Sequence, residues 1–396
     1  MARASIAVKK SGREMRPQSG YIPTLDGWRA VAILGVIASH VVIYPYDPSR
    51  AGLNSISSVI ATLGPGGVDV FFGLSGFLIT WRLLEEEQAL GSVSLKRFYI
   101  RRAFRILPAA LAYLIVVGCL GWMKAIPLSP GSWVSSLAFA RNYYPGIPGA
   151  GEWYTGHFWS LAIEEHFYLF WPLMLVVAGQ RRARWIVPTL IAMVSVWRNI
   201  EFHNGYLDRL IPGITFSQRT DIRADGLLCG CLAALLLQVP AVRDVLKRTL
   251  TWRVFSLLAV AYVMMDLGLL KPHLVITMQA IALAFLIAGT VLHPDQLIGR
   301  VLESVPFRWI GRLSYSLYLW QQLFVNGTSQ GNAPLGWVQN FPFNAGMMVV
   351  MAAASYYCLE KPLVRLGHRL ARPVSDGRGD IVQKEDKQTA VAASAT

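Results

Sequence analysis

Hydrophobic and polar positions along the chain fall into long apolar runs separated by short charged or Pro- and Gly-rich stretches. The first run, Leu25 to Tyr44 (LDGWRAVAILGVIASHVVIY), is about 20 residues long, enough to cross a hydrocarbon core of ~30 Å as a helix. The second, Gly67 to Leu84, reads GVDVFFGLSGFLITWRLL. Further runs of spanning character are predicted at about 106–123, 158–179, 185–200, 224–238, 254–270, 274–292, 309–326 and 342–359. Trp133 to Ala140 is apolar but too short to cross, so it reads as re-entrant or interfacial. The expected fold is an all-α integral membrane protein, a bundle of about ten transmembrane helices.

Charge orients the bundle. With the N-terminus inside, the loops 82–105, 180–184, 240–253 and 293–308 and both tails are cytoplasmic. With the basic ends of the first and ninth runs and the stretch 360–370 after the last, they hold about 29 of the 37 Lys and Arg, leaving about 8 outside, as the positive-inside rule asks. Counting 132–144 as a span would flip every later loop and erase the bias. Both termini are therefore expected in the cytoplasm. Residues 1–24 read as a cytoplasmic tail, 25–370 as the transmembrane domain, and 371–396 as a disordered cytoplasmic tail, poor in large apolar residues. The polar, basic start followed by a full-length run predicts no cleavable signal peptide.

Composition agrees: 54% of residues are hydrophobic and 15% charged, against about 25% charged in soluble domains. The net charge of +14 then belongs to cytoplasmic loops and lipid head groups rather than to a nucleic-acid partner. Cys119, Cys229, Cys231 and Cys358 all lie in apolar runs without zinc-ligand spacing, so neither a metal nor a disulfide is expected.

Ionisable residues inside the runs carry the candidate chemistry, because each is costly in lipid. At 1.5 Å per residue His40 lies about 21 Å into the first run, in the outer half. Asp69 stands near the outer edge of the second run, and Glu164 and Glu165 about 9–11 Å below the outer surface. A histidine beside a carboxylate suits a general base; a buried hydrogen bond that only ties helices together is the competing reading. A second group, RFYIRRAFRILP, clusters Arg101, Arg102 and Arg105 at helical spacing. Guanidiniums in that array suit phosphate, or equally topology and lipid head groups. Gly66, Gly67, Gly73 and Gly76 along the second run fit close helix packing. Arg312, Ser314, Tyr315 and Tyr318 open a later run, either as a polar path or as an interfacial belt.

The ordered blocks YIPTLDGWRAVAILGVIASH, GGVDVFFGLSGFLIT, RFYIRRAFRILP, FWSLAIEEHFYLFWP, IGRLSYSLYLW and the terminal EKP resemble the membrane acyltransferase-3 family of integral membrane O-acyltransferases. The resemblance covers about residues 21–370. It implies transfer of an acetyl or short acyl group from cytoplasmic acetyl-CoA to a hydroxyl of a surface or exported glycan, or of a lipid-linked saccharide, at the inner (plasma) membrane. By resemblance His40 matches the essential histidine, Arg29 the arginine of the first block, Arg102 and Arg105 the spaced arginines, and Glu164 the acid of the SLxxE block. Two positions depart: His166 stands where Gln is usual, and Gln321 where His often follows LYLW, which puts a catalytic role for that position in question. With only a short polar tail after the last run, no fused extracytoplasmic hydrolase-like domain is expected.

The mechanism expected from these readings makes His40 base or nucleophile. Glu164 orients it, Asp69 or Glu165 supports it, and Arg29 steadies the oxyanion or the donor. Arg101, Arg102 and Arg105, with Arg312 and Tyr315, hold the acyl-CoA. Two alternatives stay open: an acyltransferase acting on a small hydrophobic molecule such as a macrolide, and a proton-coupled transporter or flippase without acyl transfer. Acceptor choice is expected in the external loops 45–60 and 201–223. The oligomeric state, a homo-oligomer included, stays open.

Overall fold

The computed structural model describes residues 21–43, 64, 66–145, 153–266, 272–325 and 334–371, and every regular element among them is helical. Most of both expected tails and the expected acceptor loop at 45–60 lie outside the described residues. In order the α-helices are α1 (Pro23–Ile43), α2 (Gly66–Leu90), α3 (Leu95–Trp122), α4 (Pro130–Leu137), α5 (Trp153–Gly156), α6 (Phe158–Asn204), α7 (Tyr206–Leu210), α8 (Thr220–Leu237), α9 (Pro240–Thr249), α10 (Trp252–Asp266), α11 (Pro272–Leu292), α12 (Leu297–Leu302), α13 (Val305–Phe324), α14 (Phe343–Ala354) and α15 (Lys361–Leu370). Four helical stretches among the described residues are long and apolar enough to cross a membrane: α2, α3, Trp153–Asn204 and Val275–Leu292. A fifth is reached if Phe216–Leu237 and α9, bent by 108°, form one broken span.

The 47-residue α6 is two arms. Gly179 sits at φ 72°, ψ 160°, a conformation open to glycine, and breaks the helix between them. The two runs expected at 158–179 and 185–200 are these arms, and the basic turn Arg181, Arg182 and Arg184 follows the break.

Small residues set the central crossing. A Cβ on Gly76 would lie 1.9 Å from the Leu227 carbonyl oxygen, and one on Gly230 would lie 2.1 Å from that of Gly73. Only hydrogen fits at either place, so α2 and α8 approach backbone to backbone, the usual solution where lipid supplies no hydrophobic drive. On the other side α1 lies between α2 and α13.

Buried ion pairs tie further helices. The Arg198 guanidinium of α6 donates to Asp225 of α8 at 2.5 Å and to Thr277 of α11 at 3.1 Å, and both charged side chains are essentially inaccessible. Arg219 donates to Glu201 at 2.8 Å and Asp221 at 2.6 Å, closing the end of α6 against the start of α8.

Two element boundaries differ from expectation. The third run begins as a helix at Leu95, not near Ile106, because the Ser94 side chain caps it by accepting from Arg97 N–H at 3.4 Å. Arg101, Arg102 and Arg105 therefore stand inside the helix. The helix that carries the last run continues past the expected 342–359: α14 leads through a π-helical turn, Ser355–Glu360, into α15. Pro362 follows just after that π-helical turn.

Candidate active site

Helices α1, α2, α3, α6 and α13 enclose a cavity of about 80 Å³. Each contributes polar side chains at helical spacing. Arg102 and Arg105 of α3 are one turn apart, as are Ser160 and Glu164 of α6, and Ser314 and Tyr318 of α13. Arg29 of α1 and Ser75 of α2 complete the polar wall, and Val68, Phe71 and Phe72 supply the apolar one.

Charges in this cavity are unevenly compensated. Glu164 accepts from Ser75 at 2.9 Å and from Tyr168 at 2.8 Å. Arg102 lies 3.7 Å from Glu164 and 3.5 Å from Glu165, with its guanidinium stacked 3.4 Å above the Tyr168 ring. Arg29 pairs with Asp26 at 3.3 Å. Arg105 lines the cavity but makes no hydrogen bond or ion pair with any described residue. Glu360 is buried and accepts hydrogen bonds from Ser316 and Ser355. Tyr315 lines the cavity and donates to the Ile106 carbonyl at 2.9 Å.

Above the arginines, hydroxyls and rings line the path among the described residues. Tyr318 donates to the His157 carbonyl at 3.0 Å and shares a 2.5 Å hydrogen bond with Ser160. The His157 ring is buried among Tyr113, Phe158 and Tyr318. His40 stands eleven residues beyond Arg29 on α1, about 16 Å along the axis. Its Nδ1 is 3.2 Å from Gln321 Oε1, and its ring meets Trp153 edge-on at 5.6 Å.

The expected carboxylate partner of His40 is therefore not what the fold supplies. Glu164 and Glu165 are engaged with Arg102, and Asp69 pairs with Arg223 of α8. Depth arithmetic fixes height along the bundle but not the direction in which a side chain leaves its helix, and these carboxylates leave toward other neighbours. Of the residues expected to hold the donor, Arg102, Arg105 and Tyr315 share the cavity. Arg101 is instead held by Glu86 at 2.6 Å, which also takes Arg97 at 3.0 Å and so clamps α2 to α3. Arg312 is exposed and donates to the Arg308 carbonyl. His157 and Ser160 escaped the sequence reading, although 157, 160 and 164 fall on one helical stripe.

The family model for an acyltransferase domain matches residues 22–360. The chain belongs to this acyltransferase-3 family. Among curated relatives, the chain is 29% identical over 385 residues to "Putative peptidoglycan O-acetyltransferase YrhL" of Bacillus subtilis, covering 88% of this chain and 56% of the relative. It is 28% identical over 349 residues to "Peptidoglycan O-acetyltransferase OatA" of Listeria monocytogenes, covering 80% of this chain and 51% of the relative. The chain thus spans about half the length of the curated relatives it matches. No solved structure matches it.

Proposed function

We propose that this acyltransferase-3 chain is a multi-pass plasma-membrane O-acyltransferase that moves an acetyl group from cytoplasmic acetyl-CoA to a hydroxyl of a cell-wall or exported glycan. In this reading ten spans place both termini inside, residues 25–370 are the membrane domain, and the arginine end of the cavity faces the cytoplasm. One observation carries it. Three helices run from a cationic cavity toward His40: α1 from Arg29 to His40, α6 from Glu164 through Ser160 to His157, and α13 from Tyr315 through Tyr318 to Gln321. Arg105, which makes no hydrogen bond or ion pair with any described residue, suits the donor's phosphates, and Arg29 adds to the positive field, while Arg102 is held by Glu164 and Glu165. A pantetheine arm entering between them carries its thioester toward His40. The names of the curated relatives favour a glycan as acceptor.

His40 is the base in this scheme. It withdraws the proton of the acceptor hydroxyl as the oxygen attacks the thioester carbonyl. Glu164 and Glu165 position Arg102 rather than the imidazole. The experiment is acetyl transfer in proteoliposomes with labelled acetyl-CoA and a muropeptide-derived saccharide, comparing the wild-type protein with His40→Ala. Transfer lost in the variant, with elution and thermal unfolding unchanged, is the expected result. Undiminished transfer in His40→Ala would refute the assignment.

A further inference from the structure

Gln321 is the one residue hydrogen-bonded to the His40 ring among the described residues. It is fully buried on α13, three residues beyond Tyr318, so about 4.5 Å past the last cavity residue of that helix. Its two amide atoms are differently employed. Oε1 faces His40 Nδ1 at 3.2 Å, which places the ring proton on Nδ1 and leaves the Nε2 lone pair of His40 available. The amide nitrogen of Gln321 is buried and has no hydrogen-bond partner among the described residues. A buried N–H without a partner is uncommon in folded proteins and calls for a specific reason.

We propose that Gln321 is a second catalytic residue of acyl transfer: its carbonyl oxygen holds His40 in the reactive tautomer, and its amide N–H receives the thioester carbonyl oxygen as that oxygen becomes anionic. The inference rests on the acyl-CoA reading above. In the first step the acceptor O–H bond breaks, its proton passes to His40 Nε2, and the oxygen bonds to the thioester carbon. The carbonyl π pair moves onto oxygen and is held by the Gln321 N–H. In the second step that pair re-forms the carbonyl, the C–S bond breaks, and the His40 proton goes to the departing sulfur. Ester and free thiol leave, and both residues return to their starting state. A neutral amide serves here because the imidazolium and the oxyanion arise together and balance each other, with no net charge added to the buried end.

The test separates the two amide functions. In Gln321→Leu both are lost, and kcat falls about 100- to 1000-fold, the range for removing an oxyanion donor, with KM for acetyl-CoA little changed. Gln321→Glu keeps an oxygen for His40 Nδ1 but has no N–H, and assayed at a pH where its carboxyl is ionised it offers no donor, so its kcat there is expected to fall at least as far. Elution in detergent and acetyl-CoA binding check the fold of each. If Gln321→Leu does not fold, the near-isosteric Gln321→Glu decides alone. Near-wild-type kcat in Gln321→Glu overturns the oxyanion role, and a loss confined to KM overturns the catalytic role altogether. A wild-type protein that transfers no acetyl group would overturn the acyl-CoA reading together with this one, whereas wild-type transfer with an active Gln321→Glu overturns this one only.

Discussion

Replacing Arg105 with Ala is expected to weaken donor binding while leaving the fold intact, whereas Arg102→Ala is expected to do the reverse. The reason lies in their partners. Arg102 compensates Glu164 and Glu165 and covers the Tyr168 ring, and the three charged side chains are 14 to 23% exposed. Removing it strands two carboxylates; breaking a fully buried pair costs ~3–5 kcal/mol, so about 2–3 kcal/mol is expected at this exposure. Arg105 has no ion pair to break, and Glu360, whose charge acts on it, keeps its hydrogen bonds from Ser316 and Ser355. What its loss removes is a charge-assisted hydrogen bond to the bound donor, worth about 1.5–3 kcal/mol, or roughly 10- to 150-fold in Kd. The assay is acetyl-CoA titration of each purified variant in detergent, with thermal unfolding alongside. Unchanged acetyl-CoA affinity in Arg105→Ala, with a clear loss in a thermally stable Arg102→Ala, would refute this division of labour.

Other perturbations probe the frame around the site. Asp225→Ala leaves the Arg198 guanidinium buried without its counter-charge and should cost ~3–5 kcal/mol, read as a lowered unfolding temperature in detergent. Gly76→Ala forces a Cβ to within 1.9 Å of the Leu227 carbonyl oxygen, so it should cost at least ~1–3 kcal/mol and lower folded yield, while Gly346→Ala, with open space at its Cβ, should not. Asp69→Asn is expected to retain acetyl transfer, since Asp69 serves Arg223 and not His40; a loss comparable to that of His40→Ala would reinstate it as a partner of the histidine.

Much of the helical framework was legible because apolar runs need only one-dimensional information. The break at Gly179 falls where a basic turn interrupts two runs, and Arg102 and Arg105 of RFYIRRAFRILP share the cavity because helical spacing puts them one turn apart. The partners of His40 were not legible. Height follows from counting residues along a helix, but which side chains meet depends on rotation and on crossing points such as Gly76 against Leu227. Arg101 illustrates the same limit. It is chemically equivalent to Arg102 and adjacent to it, yet about 100° of helical rotation sends it to Glu86 and out of the cavity. Gln321 was visible only as a departure from the family's LYLW-His pattern. Its contact with His40 came from the packing of α13 on α1.

The distribution of charge along the cavity constrains the chemistry further. Formal charges gather at the arginine end, where Arg29, Arg102, Arg105, Glu164 and Glu165 lie in or beside the cavity. Toward His40 the partners become hydroxyls, rings and an amide: Ser160, Tyr318, Trp153 and Gln321. Sustaining an isolated ion at that end would carry a large desolvation penalty. A reaction that creates a cation and an anion side by side and annihilates them within the same turnover avoids most of it. Proton transfer to His40 coupled to oxyanion formation is of that kind, whereas a carboxylate beside the histidine would hold a permanent charge there. The displacement of Glu164 toward Arg102 thus fits a division in which one end of the path holds a charged donor and the other handles only a transient ion pair.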